Sequence, residues 1–398
     1  MSDAASGRAG GPKLPLDHIT VIDLTRFRSG PTCVRQLGDM GARVIQVTAI
    51  QMDQAMPVHG SDYQNLHRNK RSITLDLKAP RGVEILKRLV DRADVLVENF
   101  RPDVKRRLGI DYEALSAINP RLVYGSISGF GEEGPYRDRP GYDQIAQGMG
   151  GLMSITGAPG EGPMRVGIPV ADLTAGLYLA QGVLVALVER ERSGKGQWVR
   201  TSLLQAMVNM LDFQATRWTM DGKVPPQAGN NHPTVFPTGV FRVGDGQINI
   251  AATTQAQWQK LCDVIGAHEL TEEERFLTPS DRSRNRDALT VELERHLTSA
   301  DAGSLVERLN AAGVPAGPIL AVDEVFANEQ VRSLPTTATV EHHHLGAIEL
   351  LGIPVTLSRT PGLVEAAAPD PGQDTDAILK ELGYADAERA ALREARAV

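Results

Sequence analysis

The chain has 398 residues, of which 41% are hydrophobic and 23% are charged, and its formal net charge is −7. This length exceeds the usual domain size of about 100 to 200 residues, so we expect two domains with separate cores. The acidic balance disfavours nucleic-acid partners, and the two cysteines, Cys33 and Cys262, are too few and too distant for a disulfide framework.

The N-terminal segment 1–13 is rich in Gly, Ala and Ser and has no apolar core, so it does not resemble a signal peptide. The sequence contains no uninterrupted apolar run of about 18 residues, the length that typically spans a membrane. We therefore expect a soluble, cytoplasmic protein that has no membrane partner. The low cysteine content agrees with a reducing compartment.

The first third of the chain alternates β-branched runs with helical segments. A run at 19–24 precedes Gly30-Pro31, which opens a helix, and 43–48 follows as the next strand. Such βαβ units favour a parallel sheet with right-handed crossovers. We predict strands at 19–24, 43–48, 72–77, 94–97 and 121–127, and helices at 31–40, 80–91, 102–108 and 112–118. The expected fold class is α/β with a Rossmann-like large domain.

The middle of the chain changes character twice. An apolar stretch at 173–190 predicts a buried helix, and a segment rich in Pro, Gly and Asn at 221–237 is the candidate linker. Further predicted elements are a strand at 197–201, a helix at 203–218, a hairpin at 240–252 that turns at Gly244-Asp245-Gly246, helices at 255–265, 284–298 and 302–311, short strands after 331, and helices at 375–382 and 385–397. We assign 14–220 to the large domain and 221–330 to a smaller α+β domain, and we expect 331–398 to return to the large domain.

Several motifs of known chemistry are missing from the sequence. It has no G-x-x-x-x-G-K-[ST], no G-x-G-x-x-G after the first strand, no H-E-x-x-H, no C-x-x-C and no G-x-S-x-G. These absences disfavour kinases, dehydrogenases and serine hydrolases. The run His342-His343-His344 lies in a predicted strand edge, where adjacent side chains point to opposite faces, so we predict no metal site.

Asp172 stands at the predicted start of the apolar helix and admits two interpretations, which can coexist. As an N-cap, its carboxylate would accept hydrogen bonds from free N–H groups of the first turn. As a nucleophile or base, it would be kept ionised by the positive end of the helix dipole. Ala175 and Gly176 would then let a thioester approach, and attack on an acyl-CoA would give a mixed anhydride followed by an aspartyl thioester.

Other residues are candidate partners in this chemistry. Backbone N–H groups of the Gly-Met-Gly-Gly segment at 148–151 could stabilise an oxyanion, although close helix packing explains the same glycines. The phosphates of CoA need cations, and those near predicted strand ends and turns are Arg26, Arg28, Lys78, Arg101, Lys105, Arg106 and Arg107. The run at 105–107 is equally typical of a solvated helix face.

Several motifs, in the same order, resemble the family III CoA-transferases, which include formyl-CoA:oxalate and carnitine CoA-transferases and the related α-methylacyl-CoA racemases. The resemblance covers nearly the whole chain. Its landmarks are Val21-Ile22-Asp23-Leu24-Thr25 with Gly30-Pro31, Arg68-Asn69-Lys70-Arg71-Ser72-Ile73, Val97-Glu98-Asn99-Phe100-Arg101-Pro102, Asn119-Pro120-Arg121-Leu122-Val123, Gly141-Tyr142-Asp143, Asp172, Gly194-Lys195-Gly196-Gln197 and Gly372-Gln373-Asp374-Thr375.

The resemblance implies a large domain made of both chain ends, a small inserted domain and an interlocked homodimer. It implies that Asp172 is the catalytic aspartate, that acyl-CoA and a small carboxylic acid are the substrates, and that no cofactor is permanently bound. The positions implied to line the CoA site are Arg26, Phe27, Arg28, Leu75, Lys78, Asn99, Phe100, Arg101, Arg107 and Leu108. The positions considered for substrate binding are Arg28, Tyr142 and Gly150.

The chain departs from the family pattern at three places. Its second strand ends in Gln46-Val47-Thr48 where the family often has a Lys-Val-Glu type ending, which weakens the case for one contact near the CoA nucleotide. The racemases have a catalytic histidine where this chain has Tyr142, which disfavours α-proton exchange. Some transferases have glutamine where Arg28 stands, and a guanidinium there would suit a dicarboxylate or another polar acid.

Two alternatives to CoA transfer remain open at this point. The first is an acyl-CoA racemase or isomerase on the same scaffold, which the identity of Tyr142 disfavours. The second is a non-catalytic CoA-binding homologue, for which an intact Asp172 would be unnecessary.

Overall fold

The structure of the chain is a computed structural model that describes residues 13–51 and 56–398. The segment 1–13, on which the signal-peptide prediction depends, lies outside the described residues except for its last position. The described strands are β1 (Thr20–Asp23), β2 (Arg43–Thr48), β3 (Lys70–Thr74), β4 (Val95–Glu98), β5 (Val123–Ser128), β6 (Trp198–Ser202), β7 (Thr238–Val243), β8 (Gly246–Ala251), β9 (Ala316–Pro318), β10 (Thr337–His342) and β11 (Gly346–Leu351). The described α-helices are α1 (Ser29–Asp39), α2 (Ser61–His67), α3 (Pro80–Asp91), α4 (Pro102–Leu108), α5 (Tyr112–Ser116), α6 (Asp143–Met149), α7 (Leu152–Ile155), α8 (Val170–Ser193), α9 (Leu203–Met210), α10 (Phe213–Asp221), α11 (Gln255–Ile265), α12 (Pro279–Arg284), α13 (Arg286–Leu297), α14 (Ala302–Ala311), α15 (Val322–Ala327), α16 (Glu329–Arg332), α17 (Thr375–Glu381) and α18 (Asp386–Glu394).

Six parallel strands form one sheet in the order β3-β2-β1-β4-β5-β6. β1 lies in the middle and pairs with β2 through Val21 and Val44, and with β4 through Val21 and Val95. The chain therefore builds one half of the sheet outward from β1 and the other half outward from β4. In such sheets ligands bind outside the carboxyl ends of the two strands where the order reverses. The predicted Rossmann-like α/β class is confirmed.

Each face of this sheet has its own hydrophobic core, because successive side chains of a strand point to opposite faces. Val21 packs on one face with Val34 of α1 and Val183 of α8. Ile22 packs on the other face with Leu86 of α3. Strands that are covered on both faces have nearly continuous apolar sequences, which is why the sequence predicted them well.

The longest described helix, α8, packs one side against the first of these cores. Leu179 and Val183 are buried there, whereas Val185 and Val188 on the outer side are 63% and 71% exposed. The predicted buried helix is therefore buried on one side only. By length and composition α8 is the one helix of the described residues that could cross a membrane, and its core packing accounts for the same composition.

The C-terminal segment returns to the sheet and bonds to its outer strand β3. The Ser72 N–H donates to the Asp374 carboxylate at 2.8 Å, and the Ser72 hydroxyl accepts from the Gly372 N–H at 2.9 Å. The Thr74 N–H donates to the Thr375 hydroxyl at 3.2 Å. These bonds occupy polar groups beside an edge strand that would otherwise be open to pairing with another chain.

The chain divides into two compact units. The large unit comprises the described residues up to Leu152 together with Val166–Ala215 and Leu334–Val398, and the small unit comprises Met153–Arg165 and Thr216–Ser333. The small unit has an antiparallel sheet in the order β7-β8-β9, with the predicted hairpin as β7 and β8, and its own core around Trp258. The domain boundaries predicted from the sequence did not include Met153–Arg165 in the small unit.

Some helices differ from the sequence prediction for identifiable reasons. The sequence pattern did not predict α2 or α6, because seven residues give a short periodicity and neither helix begins with a proline as the equally short α4 does. The predicted helix at 203–218 is two helices, α9 and α10. Asp212 lies between them with a φ of 46°, a left-handed conformation that ends a right-handed helix.

Candidate active site

Asp172 is the third residue of α8, whose N-cap is Pro169. The helix begins at Val170, earlier than predicted, so the side chain of Asp172 lies in the first turn and does not cap the helix. The predicted N-cap role is therefore wrong. A carboxylate in the first turn still lies near the positive end of the helix dipole, as the sequence indicated.

The start of α8 is capped from outside by Asp143, the first residue of α6. Asp143 Oδ1 accepts hydrogen bonds from the N–H of Ala171 at 2.8 Å and of Asp172 at 3.4 Å. Its Oδ2 accepts from the side-chain amide of Gln147 at 2.7 Å. This carboxylate satisfies N–H groups that have no acceptor within the helix. In the sequence, Asp143 belongs to the family landmark Gly141-Tyr142-Asp143, and the pattern gives it no role.

The pKa of the Asp172 carboxyl is raised from 3.8 to about 6. Burial is the largest cause, and the negative charge of Asp143 acts in the same direction. The Arg28 guanidinium and a hydrogen bond with the Ser29 side chain act in the opposite direction. At pH 7 about nine in ten such carboxyls are ionised, so the site holds a carboxylate that is more basic than an ordinary aspartate.

Arg28 and Ser29 lie near Asp172 because α1 and α8 pack very closely. A Cβ atom added at Gly176 of α8 would lie 2.6 Å from the backbone oxygen of Ser29, so only glycine allows this approach. Ala175 is fully buried in the core. Gly176 therefore makes room for α1 and Ala175 packs in the core, which corrects the prediction that these two residues make room for a thioester.

The glycine-rich end of α6 does not offer free donors for an oxyanion. Gly148 lies within the helix, the Gly150 N–H donates to the Ala146 carbonyl at 2.8 Å, and the Gly151 N–H donates to the Gly148 carbonyl at 3.2 Å. A Cβ atom at Gly150 would lie 2.4 Å from the Cβ of Met207 in α9. Gly150 thus allows α6 to pack on α9, which is the second of the two interpretations that the sequence left open.

Two exposed aromatic rings, those of Phe27 and Tyr142, lie beside each other. Phe27 precedes Arg28 and Tyr142 precedes Asp143, and the two ring centroids are 5.6 Å apart in an edge-to-face arrangement. Phe27 has a φ of 60°, which is unfavourable for a residue with a bulky side chain. Strain of this kind is concentrated at sites where the surrounding structure holds a side chain toward a ligand.

Four of the positions considered for CoA binding meet where the strand order reverses. Arg26 follows β1, whereas Asn99, Phe100 and Arg101 follow β4. The Asn99 side chain accepts from the Arg26 N–H at 2.8 Å and donates to the Arg26 carbonyl at 2.7 Å. The Arg26 guanidinium lies 5.8 Å from the ring centroid of Phe100. Arg26 and Arg101 are exposed at the location that favours ligands in this type of sheet.

The other positions considered for CoA binding lie on different elements. The Leu75 side chain is buried in the second core, so only its backbone can face a ligand. Lys78 is exposed just beyond β3. Arg107 is exposed on α4, and Leu108 beside it is half-buried.

Lys105 in the basic run is not available to a phosphate. Its ammonium is buried and donates to the carboxylates of Glu98 and Glu132, both at 2.7 Å. Because a buried charge must be paired, these ion pairs link α4 to the end of β4 and to the loop after β5. Arg106 and Arg107 are the members of the run that face solvent.

Arg28 has carboxylates on two sides. Its guanidinium donates to the carboxylate of Asp62 in α2 at 2.7 Å, and its charge also acts on Asp172. The Arg28 side chain is 22% exposed, whereas that of Asp62 is 65% exposed. A guanidinium has five N–H donors, so this contact leaves capacity for another carboxylate.

Comparison with known proteins agrees with this architecture. The sequence model of CoA-transferase family III matches residues 16–375. The chain is 35% identical to the succinate–glutarate CoA-transferase of Agrobacterium fabrum, over 93% of this chain and 96% of that protein. It is 39% identical to the acetyl-CoA:oxalate CoA-transferase of Acetobacter aceti, over 87% of this chain and 90% of that protein. The crystal structure of a CaiB/BaiF family protein from Brucella suis superposes with a TM-score of 0.83 and 38% identity, over 93% of this chain and 99% of that one.

Proposed function

Since the chain belongs to CoA-transferase family III, we propose that it moves CoA from an acyl-CoA to a free carboxylic acid through covalent intermediates on Asp172. The observation that carries the proposal is the state of this side chain. Its carboxyl is half-buried, lies near Arg28 and Ser29 and has a pKa raised to about 6. A carboxylate in such a setting is ionised at neutral pH and is more basic than usual.

The reaction balances without an added proton or cofactor. The Asp172 carboxylate attacks the thioester carbonyl, and the CoA thiolate leaves as a mixed anhydride forms. The thiolate then attacks the aspartyl carbonyl, which releases the donor acid as a carboxylate and leaves an aspartyl thioester. The acceptor carboxylate displaces the thiolate from this thioester, and the thiolate attacks the acceptor carbonyl of the new anhydride. The products are the acceptor acyl-CoA and the free Asp172 carboxylate.

The residues at the reversal of the strand order support a CoA site there. Arg26 and Arg101 are exposed cations, and Phe100 presents a half-buried ring beside Arg26. Cations and a ring suit the phosphates and the adenine of CoA. Phe27 and Tyr142 directly precede Arg28 and Asp143, the two charged neighbours of Asp172, and their exposed rings contact each other. This placement supports a role in holding the acyl part.

We also propose that the acid substrate is a dicarboxylate. Arg28 is held near Asp172 and already binds one carboxylate, that of Asp62. A substrate with a second carboxylate could bind this guanidinium while its first carboxylate faces the aspartyl thioester. The names of the two related transferases, which include succinate, glutarate and oxalate, agree with this substrate class.

The assembly that we propose is a homodimer. The outer side of α8 presents Leu177, Leu184, Val185 and Val188, which are between 39% and 71% exposed in the single chain. Their spacing places them on one side of the helix. An apolar surface of this kind on a water-soluble enzyme favours burial against another protein surface.

The location that we propose is the cytoplasm. Cys33 and Cys262 are both free and buried, which agrees with a reducing, cytoplasmic location.

The Asp172→Asn variant tests the proposed chemistry. We expect the rate of CoA transfer to fall by at least about 1000-fold, because an amide cannot form the anhydride. The variant should unfold at pH 7.5 with a free energy no lower than that of the wild type, since the folded state disfavours the charged form of a carboxyl with a raised pKa. Glu189→Gln, which changes an exposed carboxylate of the same helix, should keep its activity. Full turnover in Asp172→Asn would exclude the mechanism.

The Arg28→Gln variant tests the proposed substrate class. At pH 8, where Asp172 stays ionised, we expect kcat/KM for a dicarboxylate acceptor to fall by about tenfold to 100-fold, because a charge-assisted bond is lost. The kcat/KM for a monocarboxylate acceptor of equal length should change little. Arg26→Gln is the matched control, since it should raise KM for the acyl-CoA and leave acceptor preference unchanged. Equal losses for both acids in Arg28→Gln would contradict the assignment.

A further inference from the structure

Three segments of the large unit that are far apart in the sequence bring histidine and aspartate side chains together. His59 lies before α2, His343 and His344 form the turn between β10 and β11, and Asp370 precedes α17. His59 Nε2 lies 3.1 Å from Asp370 Oδ1. His343 Nε2 and His344 Nε2 lie 2.9 Å and 3.3 Å from Asp370 Oδ2. Three imidazoles therefore surround one carboxylate.

The distances suit a metal ion. One potential ligand atom each of His59, His344 and Asp370 lies within 4.8 Å of the others, and among the described residues no other group of three or more such side chains does so. In a tetrahedral site the metal is about 2.0–2.2 Å from each ligand atom, so the ligand atoms are about 3.4 Å apart. The side chains of His59, His344 and Asp370 are 46%, 55% and 30% exposed, respectively. Small rotations of these side chains are enough to bring their ligand atoms to this tetrahedral spacing.

The local backbone holds the ligands in position. His342, the last residue of β10, is buried, and its Nδ1 accepts from the N–H groups of His344 and Leu345 at 3.0 and 3.3 Å. This contact fixes the turn that carries the next two imidazoles. The Asp370 N–H donates to the side chain of Gln373 at 3.0 Å. The positions are therefore set before any ion binds, which lowers the entropy lost on binding.

The prediction that the histidine run binds no metal assumed strand geometry for all three residues. Strand β10 ends at His342, and His343 and His344 lie in the turn. Side chains in a turn need not alternate between opposite faces, and here both rings reach Asp370. The two partners that complete the group, His59 and Asp370, are far away in the sequence, so no local spacing motif could indicate them.

We propose that His59, His344 and Asp370 bind a divalent transition-metal ion of the Zn²⁺ class, with a water molecule as the fourth ligand. Imidazole nitrogens and one carboxylate are the ligands that such ions prefer. His343 Nε2 lies 2.9 Å from Asp370 Oδ2, the oxygen that His344 also contacts, so His343 orients Asp370 as an outer partner. The ion fastens the loop before α2, the β10–β11 turn and the segment before α17 to one another, and it has a structural role separate from CoA transfer.

The test is a Zn²⁺ titration of the full chain after treatment with a chelator, by competition with a coloured zinc indicator. We expect one tight site per chain and a higher midpoint of thermal unfolding when Zn²⁺ is present. His59→Ala and Asp370→Ala should each weaken binding by at least about tenfold and remove the increase in the midpoint. His268→Ala, an exposed histidine of the small unit, is the matched control and should bind as the wild type does.

The same titration can overturn the proposal. If His59→Ala and Asp370→Ala both bind Zn²⁺ as tightly as the wild type, the adjacent histidines alone capture the ion and the three segments form no site. Circular dichroism of each variant shows whether it is folded, so a loss of binding through unfolding is recognised. CoA transfer by the chelated enzyme should be unchanged, and a loss of activity would contradict the structural role.

Discussion

At the scale of single residues, the environment of Asp172 balances two requirements. A carboxylate nucleophile must be ionised, and it reacts better when it is more basic. Burial and the charge of Asp143 raise its pKa, whereas Arg28 and the bond with Ser29 limit the increase, so that the value is about 6. The result is a carboxylate that is mostly charged at neutral pH although it is half-buried.

This balance predicts a pH dependence. We expect kcat/KM for the acyl-CoA to fall below about pH 6, because a protonated Asp172 is not a nucleophile. Asp143→Asn removes the neighbouring negative charge and lowers the pKa of Asp172, so the acidic limb should move to lower pH by about half to one unit. The profile of Asp91→Asn, which changes an exposed carboxylate of α3, should match that of the wild type. If the acidic limb of the pH profile stays at the same pH in Asp143→Asn, a group other than Asp172 causes that limb.

Sequence resemblance identified Asp172 but did not separate chemical from structural roles in the other landmarks. Asn69, Asn119 and Asp374 use their side chains to bond the backbone of other segments, so they maintain the fold. Ser29 and Asp143 received no role, although both lie next to the candidate nucleophile. Their roles depend on how three helices pack, and local sequence carries little information about contacts between segments so far apart.

At the scale of secondary-structure elements, the candidate site is assembled from the first residues of α1, α6 and α8. Ser29 begins α1, Asp143 begins α6 and Asp172 lies in the first turn of α8. The sequence predicted α1 from Gly30-Pro31 and α8 from its apolar stretch, but it began α8 too late, at 173. The cap of α8 comes from α6, and a cap supplied by another element leaves no mark at the helix start itself.

Gly176→Ala tests the importance of the close packing between α1 and α8. The added methyl group would lie 2.6 Å from the Ser29 oxygen, so we expect a loss of about 1–3 kcal/mol in the free energy of unfolding. Because α1 must shift, Ser29 should also move from Asp172 and the transfer rate should fall. Gly303→Ala in α14, where the methyl group meets no atom closer than 3.7 Å, should keep or increase stability. Denaturant unfolding of both variants measures the difference, and equal stabilities would contradict the packing argument.

At the scale of the whole molecule, the order of the strands brings the ends of β1 and β4 together. Periodicity predicted the strands but could not give their order, because pairing joins segments far apart in the sequence. The return of the C-terminal segment was expected from the short strands and helices after 331 and from the family resemblance, and its bonds to β3 provide the physical reason. No pattern in the sequence predicted that Met153–Arg165 belongs to the small unit.

The exposed side of α8 gives a prediction about assembly. We expect light scattering to give twice the chain mass of 42.9 kDa for the wild type. A double variant, Val185→Glu with Val188→Glu, places two charges on the apolar side and should yield less dimer and a lower midpoint of thermal unfolding. Val291→Glu, at a 66% exposed position of α13, is the matched control and should remain dimeric. A wild type with the mass of one chain would contradict this assembly.

The central claim is that Asp172 carries the acyl and CoA groups in turn, and chemical trapping tests it most directly. The enzyme is incubated with an acyl-CoA, treated with hydroxylamine and digested with trypsin, and the peptide 166–190 is sequenced by mass spectrometry. This peptide contains two acidic side chains, Asp172 and Glu189, so the second is an internal control. We expect a hydroxamate on Asp172 that requires acyl-CoA, with Glu189 unchanged. An active enzyme whose Asp172 remains unmodified would contradict the account.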